Sequence, residues 1–367
     1  MTSLYIHIPF CAKKCYYCSF PVTVAREHRI DDYLDRLEEE ARLHKKKKVK
    51  TIYVGGGTPA LLKAEQCRRL LDMIRVNFDY SSKVEFTVEG NPENIDVSKA
   101  MLFLEEGVSR FSLGVQSFQN KYLRFLGRTH DAGTSLRAFC ALQKAGFKNI
   151  NLDLMCSFPG QTKDELKQDV RELIAMGSQH VSLYALSVEK NSRFYATKTL
   201  PKNPSVQARQ YQYIVTALAK AGFCQYEVSN FSKKGKESRH NINTWRGGNY
   251  IGLGMGAHSH RNGYRSWNVS LFSDYMKRMK EGKAPMEGSE TLTPQQRLTE
   301  AFLFGLRMNE GVDLGKLEKR FQCSLARDTM GRIEEFLNCG LLVEDDESIK
   351  ASASGRLVLD ELAAHLI

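Results

Sequence analysis

A membrane-spanning helix needs about 18 consecutive apolar residues, and every apolar run in this chain of 367 residues is far shorter than that. Its first residues, MTSLYIHIPFC, also lack the basic segment and long apolar core of a secretory signal. We therefore expect a cytoplasmic protein. Hydrophobic residues make up 42% and charged residues 26% of the chain, which excludes a disordered or collagen-like sequence.

Cysteine is too sparse for a disulfide scaffold. The nine cysteines are an odd number without a signal peptide, which indicates a reducing compartment where clustered thiols more often bind metal. Cys11, Cys15 and Cys18 lie within one short segment, whereas the other six are scattered and are predicted to be small buried side chains.

Three thiolates at this spacing can hold three irons of a [4Fe–4S] cube. No fourth thiol lies nearby, because Phe20 occupies the position two residues after Cys18. One iron would therefore remain open to a small chelating ligand. The alternative is a three-ligand zinc site completed by a distant histidine, but zinc ligands usually come as two separated pairs.

A β-rich run followed by an amphipathic helical stretch recurs six times, which predicts right-handed βαβ units and a parallel sheet. The sheet could be an incomplete (β/α)6 barrel or an open doubly wound sheet. No G-x-G-x-x-G motif follows the first strand, which disfavours a dinucleotide-binding fold. The predicted strands are 4–8, 51–54, 84–88, 110–115, 149–154 and 180–185, and the predicted helices are 31–44, 64–77, 97–106, 132–145, 163–176 and 204–222.

The cysteine cluster, a Gly-rich motif and several polar side chains come directly after predicted strands. Barrel enzymes place their active-site residues at this carboxyl end of the strands, so the pattern favours the barrel. We expect the barrel over 1–222 and an extension over 223–289. In the extension, CQYEVSNF is predicted to be a seventh strand, KKGKESRHNINTW a polar loop, and YIGLGMGAHSH a Gly-rich segment.

Residues 290–367 are predicted to form a winged-helix-like α+β domain of three helices, a hairpin and a last helix. A net charge of +11 favours anionic partners. The domain has no basic recognition helix, so nucleic acid is not an expected partner.

The spacing Cys-x3-Cys-x2-Cys resembles that of the radical S-adenosylmethionine superfamily. The resemblance implies that the open iron binds the amino and carboxylate groups of S-adenosylmethionine. The reduced cluster would then cleave the sulfonium to a 5′-deoxyadenosyl radical. The protein would position the cofactor and exclude water from the site. The GGGTP motif at 55–59 would let the backbone approach the methionine end closely.

Further motifs over essentially the whole chain resemble the coproporphyrinogen dehydrogenase-like (HemN-like) family: YIHIPFC at 5–11, EGNP at 89–92, GVQSF at 114–118 and DL at 153–154. By this resemblance, the S-adenosylmethionine site is lined by Tyr5, Tyr17, Gly56, Gly57, Thr58, Glu89, Gln116, Arg128, Asp153 and Ser187.

Two features separate the chain from the dehydrogenase of that family. Phe20 stands where the dehydrogenase has an additional cysteine. The segment HNINTW at 240–245 resembles the signature of the haem chaperone branch, the HemW proteins, with Thr244 in place of a tyrosine. The resemblance implies a [4Fe–4S] protein that binds S-adenosylmethionine, carries haem as cargo and delivers it to an acceptor protein, at a membrane or elsewhere.

For the haem site we expect His240 as an imidazole ligand and Trp245 as an apolar face, with Arg239 and Arg246 near the propionates. His258 is the alternative ligand. Two enzymatic alternatives stay open: a radical oxidoreductase that acts on a porphyrinogen, or one that opens the haem ring.

Overall fold

Six parallel strands lie side by side in chain order at the centre of a twelve-stranded sheet. The computed structural model describes residues 2–345 and 347–366. The strand order contains no reversal, as expected of a singly wound barrel rather than a doubly wound sheet. The central strands are β1 Thr2–Ile8, β2 Thr51–Gly56, β3 Glu85–Gly90, β4 Arg110–Gln116, β5 Ile150–Cys156 and β6 His180–Ala185.

The barrel does not close, because other strands cover both of its edges. The remaining strands are β7 Cys224–Glu227, β8 Asn230–Ser232, β9 Asn249–Leu253, β10 His258–Arg261, β11 Tyr264–Asn268 and β12 Met286–Thr291. Strand β9 pairs in parallel with β1, and β8 pairs antiparallel with β6. The predicted incomplete barrel is therefore confirmed.

The predicted helices of the repeat are confirmed to within two residues at each end. Thr162 and Glu165 form a capping box at the start of α6, and Gly146 ends α5 with φ of 111°. The helices up to residue 220 are α1 Ile30–Arg42, α2 Ala64–Asn77, α3 Val97–Glu105, α4 Asn120–Leu126, α5 Ala132–Ala145, α6 Lys163–Ala175, α7 Arg193–Ala196 and α8 Pro204–Lys220.

Two predictions in the extension are wrong. CQYEVSNF is not one strand but the hairpin β7–β8, because the buried Glu227 carboxylate accepts the backbone N–H of Ser229 and turns the chain. The predicted polar loop ends in a helix, α9 Arg239–Trp245. Ser238 caps this helix, and the Glu85 carboxylate from β3 accepts the N–H groups of Arg239 and His240 at 2.8 and 2.9 Å.

The Gly-rich segment is fixed to the barrel by one buried carboxylate on α1. Glu40 accepts hydrogen bonds from the N–H of Gly254, the amide of Asn268 and the hydroxyl of Tyr275. Burial raises the pKa of Glu40, and these three donors oppose that shift. Tyr275 belongs to a helix that we did not predict, α10 Phe272–Lys280.

Residues after 292 form a second unit with its own hydrophobic core. Its elements follow the predicted order: three helices, a hairpin and a last helix. They are α11 Pro294–Gly305, α12 Leu314–Phe321, α13 Arg327–Asn338, β13 Leu342–Glu344, β14 Ile349–Ala351 and α14 Leu359–Leu366. In the described part of the chain, no helix combines the length and the apolar character needed to cross a membrane.

Candidate functional site

A cavity of about 410 Å³ opens at the carboxyl ends of the parallel strands and extends into the barrel as far as Arg110, the first residue of β4. The topology brings these ends together, so residues distant in the chain share one wall. The predicted site residues that line the cavity are Cys11, Cys15, Tyr17, Cys18, Gly56, Gly57, Thr58, Glu89, Gln116, Arg128, Asp153 and Ser187.

The loop that carries the three cysteines is held at both ends and in the middle. Phe10 and Cys11 pair with Thr23 and Val24 at its base. In its middle, the N–H of Tyr16 donates to the carbonyl of Leu126 at 2.9 Å. The loop is therefore a fixed part of the cavity wall.

The thiols border the cavity without converging on one point. Among the described residues, no three His, Cys, Asp or Glu side chains gather closely enough to hold a single metal ion. Burial raises the pKa of Cys11 to about 11 and also raises that of Cys18. The positive charge of bound iron would favour their thiolate forms.

Two of these sulfurs accept hydrogen bonds from residues that a single asparagine joins. The hydroxyl of Thr58 lies 3.6 Å from Sγ of Cys11, and Nη1 of Arg128 lies 3.4 Å from Sγ of Cys15. Asn91 donates to the Thr58 hydroxyl at 3.2 Å and accepts from Nη2 of Arg128 at 2.7 Å. This network holds one hydrogen-bond donor beside each of the two sulfurs, and such hydrogen bonds tune the reduction potential of a cluster.

The glycines of the GGGTP motif stand where a side chain would collide with the protein itself. Gly56 has φ of 106°, and a Cβ there would lie 2.5 Å from Cε1 of His7. A Cβ on Gly57 would lie 2.7 Å from the carbonyl oxygen of Phe10. The motif thus packs β2 against the start of the cysteine loop. Close approach to a methionine group stays a prediction.

Two half-buried carboxyl groups face the cavity across the strand ends. Glu89 accepts from the Tyr53 hydroxyl at 2.6 Å and from the N–H of Gly56 at 3.1 Å. Burial raises the pKa of Glu89 to about 7 despite these donors, and the nearby Asp153 raises it further. Burial also raises the pKa of Asp153, which accepts from Asn151 at 2.8 Å.

Gln116 ends β4 in the left-handed region, with φ of 67°, at an irregularity in the β4–β5 pairing. Such a conformation is costly for a residue other than glycine, and it is found preferentially where a side chain must be aimed at a ligand. Gln116 is only 8% exposed, so its amide faces the cavity rather than solvent.

Tyr5 is the predicted cofactor residue that does not line the cavity. Its hydroxyl lies 3.0 Å from Nδ1 of His7, whose Nε2–H donates to the carbonyl of Pro21 at 2.9 Å. Tyr5 therefore supports the cysteine loop indirectly: it contacts His7, and His7 donates to the carbonyl of Pro21 in that loop.

Several residues that line the cavity were not predicted as site residues, among them Tyr53, Asn91 and Arg110. Arg110 is 2% exposed, and its Nε has no hydrogen-bond partner among the described residues. A charged residue at the head of the apolar strand RFSLGV was the available signal. Asn91 lies in the EGNP motif but was given no role, and Tyr53 carried no signal of its own in the sequence.

The structure separates the two predicted haem residues. His240 faces the interior at 8% exposure and packs on Tyr53, with ring centroids 5.1 Å apart. Trp245 ends the same helix and lines a second cavity, of about 130 Å³, at the junction with the C-terminal unit. His258 is exposed on β10 and stacks on Trp267 at 6.1 Å.

Comparisons with known proteins agree with both units. Residues 5–173 match the Radical SAM superfamily, and residues 292–358 match the HemN C-terminal domain. Heme chaperone HemW of Lactococcus lactis subsp. lactis (strain IL1403) is 38% identical over 360 residues, which cover 96% of this chain and 94% of that protein. Heme chaperone HemW of Bacillus subtilis (strain 168) is 34% identical over 372 residues, covering 99% and 98%.

A solved structure shares the fold over the full chain. It is described as "Coproporphyrinogen III oxidase (HemN) from Escherichia coli is a Radical SAM enzyme". The TM-score is 0.88 and the identity 23%, with 100% of this chain and 89% of that one covered. At that identity the likeness concerns the fold alone.

Proposed function

The chain belongs to the heme chaperone HemW family of the radical SAM superfamily, and on that basis we propose that it binds haem and delivers it to an acceptor protein. The observation that carries this proposal is the identity to heme chaperones over nearly the whole length of both chains. We also propose a reducing, cytoplasmic location, which the nine unpaired cysteines support.

We propose that Cys11, Cys15 and Cys18 hold a [4Fe–4S] cluster, and that the cavity beside them binds S-adenosylmethionine. When bound, the cluster supplies one electron and an open iron for the amino-acid end of that ligand. Thr58 and Arg128 donate toward the thiol sulfurs. Burial disfavours the Arg128 charge, but Tyr17, Cys15 and Glu93 outweigh it and keep the pKa of Arg128 above its ordinary value.

We propose roles for the remaining cofactor residues from their positions in the cavity. Glu89 and Asp153 offer carboxylates to ribose hydroxyls or to the ammonium group, and Tyr17 offers a flat face beside the thiols. Gln116 and Ser187 complete the polar wall of the cavity. Gly56 and Gly57 leave the backbone accessible there, and Tyr5 acts through His7.

We expect binding of S-adenosylmethionine to tighten as pH rises, because the ionised Glu89 carboxylate accepts from ribose hydroxyls or pairs with an ammonium group more strongly than the protonated acid does. With a pKa of about 7, the affinity should rise about tenfold between about pH 6 and about pH 8. The titratable and charged groups around Glu89 are Tyr5, Tyr53, Tyr184, Asp153 and Arg110. The measurement is anaerobic calorimetry of cluster-loaded protein.

Glu89→Gln is the matched control, because it keeps the shape of the side chain and removes the titration. The ratio of the wild-type and variant constants cancels the titration of the ligand's own amine. Equal pH profiles for the two proteins would show that Glu89 does not bind the ligand.

For haem we propose His240 as the imidazole. Its Nδ1–H donates to the Thr51 hydroxyl at 3.0 Å, since the hydroxyl hydrogen of Thr51 is itself donated to Ser3. Nε2 therefore keeps its lone pair, and it has no hydrogen-bond partner among the described residues. An anchored N–H and a free opposite nitrogen are what a metal-binding imidazole needs. Because the ring is 8% exposed, we expect haem binding to open the first turn of α9.

The test compares His240→Ala with His258→Ala, each titrated with haem by absorption. We expect wild-type protein to bind about one haem per chain, and His240→Ala to shift the absorption bands and weaken binding. His258→Ala should leave both unchanged. Thermal unfolding of both variants separates a lost ligand from a lost fold.

The reverse pattern would place the iron on β10 instead. If neither variant changed the spectrum, the imidazole proposal would be wrong. Absence of saturable haem binding by the wild-type protein would contradict the chaperone function itself.

A further inference from the structure

We propose that the cavity at the junction of the barrel and the C-terminal unit binds the propionate carboxylates of the haem cargo. This inference rests on the proposed function and adds the place where the charged edge of the cargo is held. The cavity of about 130 Å³ lies between the end of α9, strands β9 and β10, and helices α11 and α12.

Two arginines in this cavity share one phenyl ring, and the described part of the chain offers neither of them an acidic partner. Arg297 of α11 and Arg320 of α12 place their guanidinium groups 5.0 and 4.9 Å from the ring centre of Phe321. Neither forms an ion pair within the described residues. Arg320 donates only to the backbone carbonyls of Arg246 and Gly247, both at 3.3 Å.

The charge in the cavity is therefore unbalanced. Its lining contains one carboxylate, Glu300, which already pairs with Arg265 at 2.9 Å. Partial burial and then the Arg297 charge lower the pKa of Arg320, as expected for two cations held close together. A ligand with two carboxylates would satisfy both guanidinium groups through charge-assisted hydrogen bonds.

The two arginines predicted to bind the propionates already have other partners. Arg246 makes a bidentate ion pair with Glu310, with contacts of 2.9 and 2.7 Å to one oxygen and 2.9 Å to the other. Arg239 donates to the carbonyl of Lys83 at 2.8 Å and lies 3.8 Å from the Glu85 carboxylate. Among the described residues that line this cavity, Arg297 and Arg320 are therefore the arginines without an ion pair.

Aromatic side chains beside the arginines fit an apolar macrocycle rather than an inorganic anion. Trp245 and Phe304 meet edge to face at 6.2 Å, and Phe304 is 37% exposed. A cavity of this volume admits the acid side chains and one edge of the macrocycle, with the remainder lying across the aromatic rim. His260 is not an iron ligand here, because Nδ1–H donates to Gly248 and Nε2 accepts from Gly263.

The cavity lies at the same end of the sheet as the proposed imidazole. Thr51, which anchors His240, lies beside Ser3 on the neighbouring strand. Ser3 in turn lies beside Tyr250 on the next strand, and Tyr250 lines the cavity. Two strand spacings, about 10 Å in all, therefore separate the two places. One extended planar ligand can bridge that span.

The experiment titrates the full-length protein with haem and with haem dimethyl ester, whose propionates carry no charge. We expect wild-type protein to bind haem about tenfold more tightly than the ester, which corresponds to one good charged contact. Arg297→Gln combined with Arg320→Gln should remove most of that preference. The absorption bands should not move, because neither side chain touches the iron.

Arg246→Gln is the control, since this arginine adjoins the cavity but is paired with Glu310; it should keep the preference. If the double variant does not fold, Arg320→Gln alone, on an exposed side chain, should reduce the preference about threefold. Equal binding of haem and ester by wild-type protein, or full preference in the double variant, would overturn the inference. Loss of preference in Arg246→Gln would assign the carboxylates to Arg246. Absence of any haem binding would overturn the proposed function, and the inference with it.

Discussion

Serine in place of Cys15 is expected to abolish cluster assembly. A serine oxygen is a harder and weaker ligand for the irons of a cube than a thiolate. The change also removes the acceptor that Arg128 approaches at 3.4 Å, which leaves that cation beside an uncharged hydroxyl. After anaerobic reconstitution, we expect about tenfold less iron and sulfide than in wild-type protein. Calorimetry should then detect no binding of S-adenosylmethionine, because the open iron is missing.

The matched control is Cys224→Ser. Cys224 is an exposed thiol on β7, outside the cavity, so its loss should leave iron, sulfide and the visible spectrum unchanged. A complete [4Fe–4S] spectrum in the Cys15 variant would refute the ligand assignment. Loss of the cluster in both variants would indicate damage during reconstitution rather than loss of a ligand.

The barrel and its cavity were predictable because both follow from local patterns. Alternating strand and helix periodicity fixes the order of parallel strands, and residues placed directly after those strands must meet at one end. Glu89 and Asp153 could therefore be placed together although they are distant in sequence. Asn91 and Tyr53 were missed, since their roles depend on which side chains lie opposite them in the folded cavity.

The segment from 239 to 245 shows where local reasoning fails. Asn241, Asn243 and Thr244 are weak helix formers, so the sequence predicts a loop. The helix forms because Glu85, from a distant strand, accepts its first free N–H groups. The same tertiary contacts turn His240 inward and direct Trp245 toward the junction cavity, which no periodicity in the sequence could indicate.

The pairing of charges at the junction is a second example. Arg239 and Arg246 flank the predicted haem segment, and sequence position alone made them the candidates for propionate binding. Folding brings Glu85 and Glu310 to them, whereas Arg297 and Arg320 come from a different unit and have no carboxylate partner in the described part of the chain. Proximity in sequence therefore pointed to two arginines that the folded protein pairs with carboxylates.

The second large expected effect is the absence of coproporphyrinogen dehydrogenase activity. The fold alone does not decide this, since the dehydrogenase structure shares it over the full chain. Phe20 stands where that enzyme's additional cysteine is expected, and at 62% exposure it lies on the rim of the cavity. An apolar ring there offers neither a thiol nor a proton to a porphyrinogen substrate.

The most direct test of the haem chaperone function is a parallel incubation of one preparation of cluster-loaded protein with haem and with coproporphyrinogen III. Both reactions contain S-adenosylmethionine and a reductant under anaerobic conditions, and the Escherichia coli dehydrogenase serves as the positive control. We predict saturable binding of about one haem per chain and no protoporphyrinogen IX above the level without protein. Formation of protoporphyrinogen IX without haem binding would contradict the account and identify the protein as the enzyme.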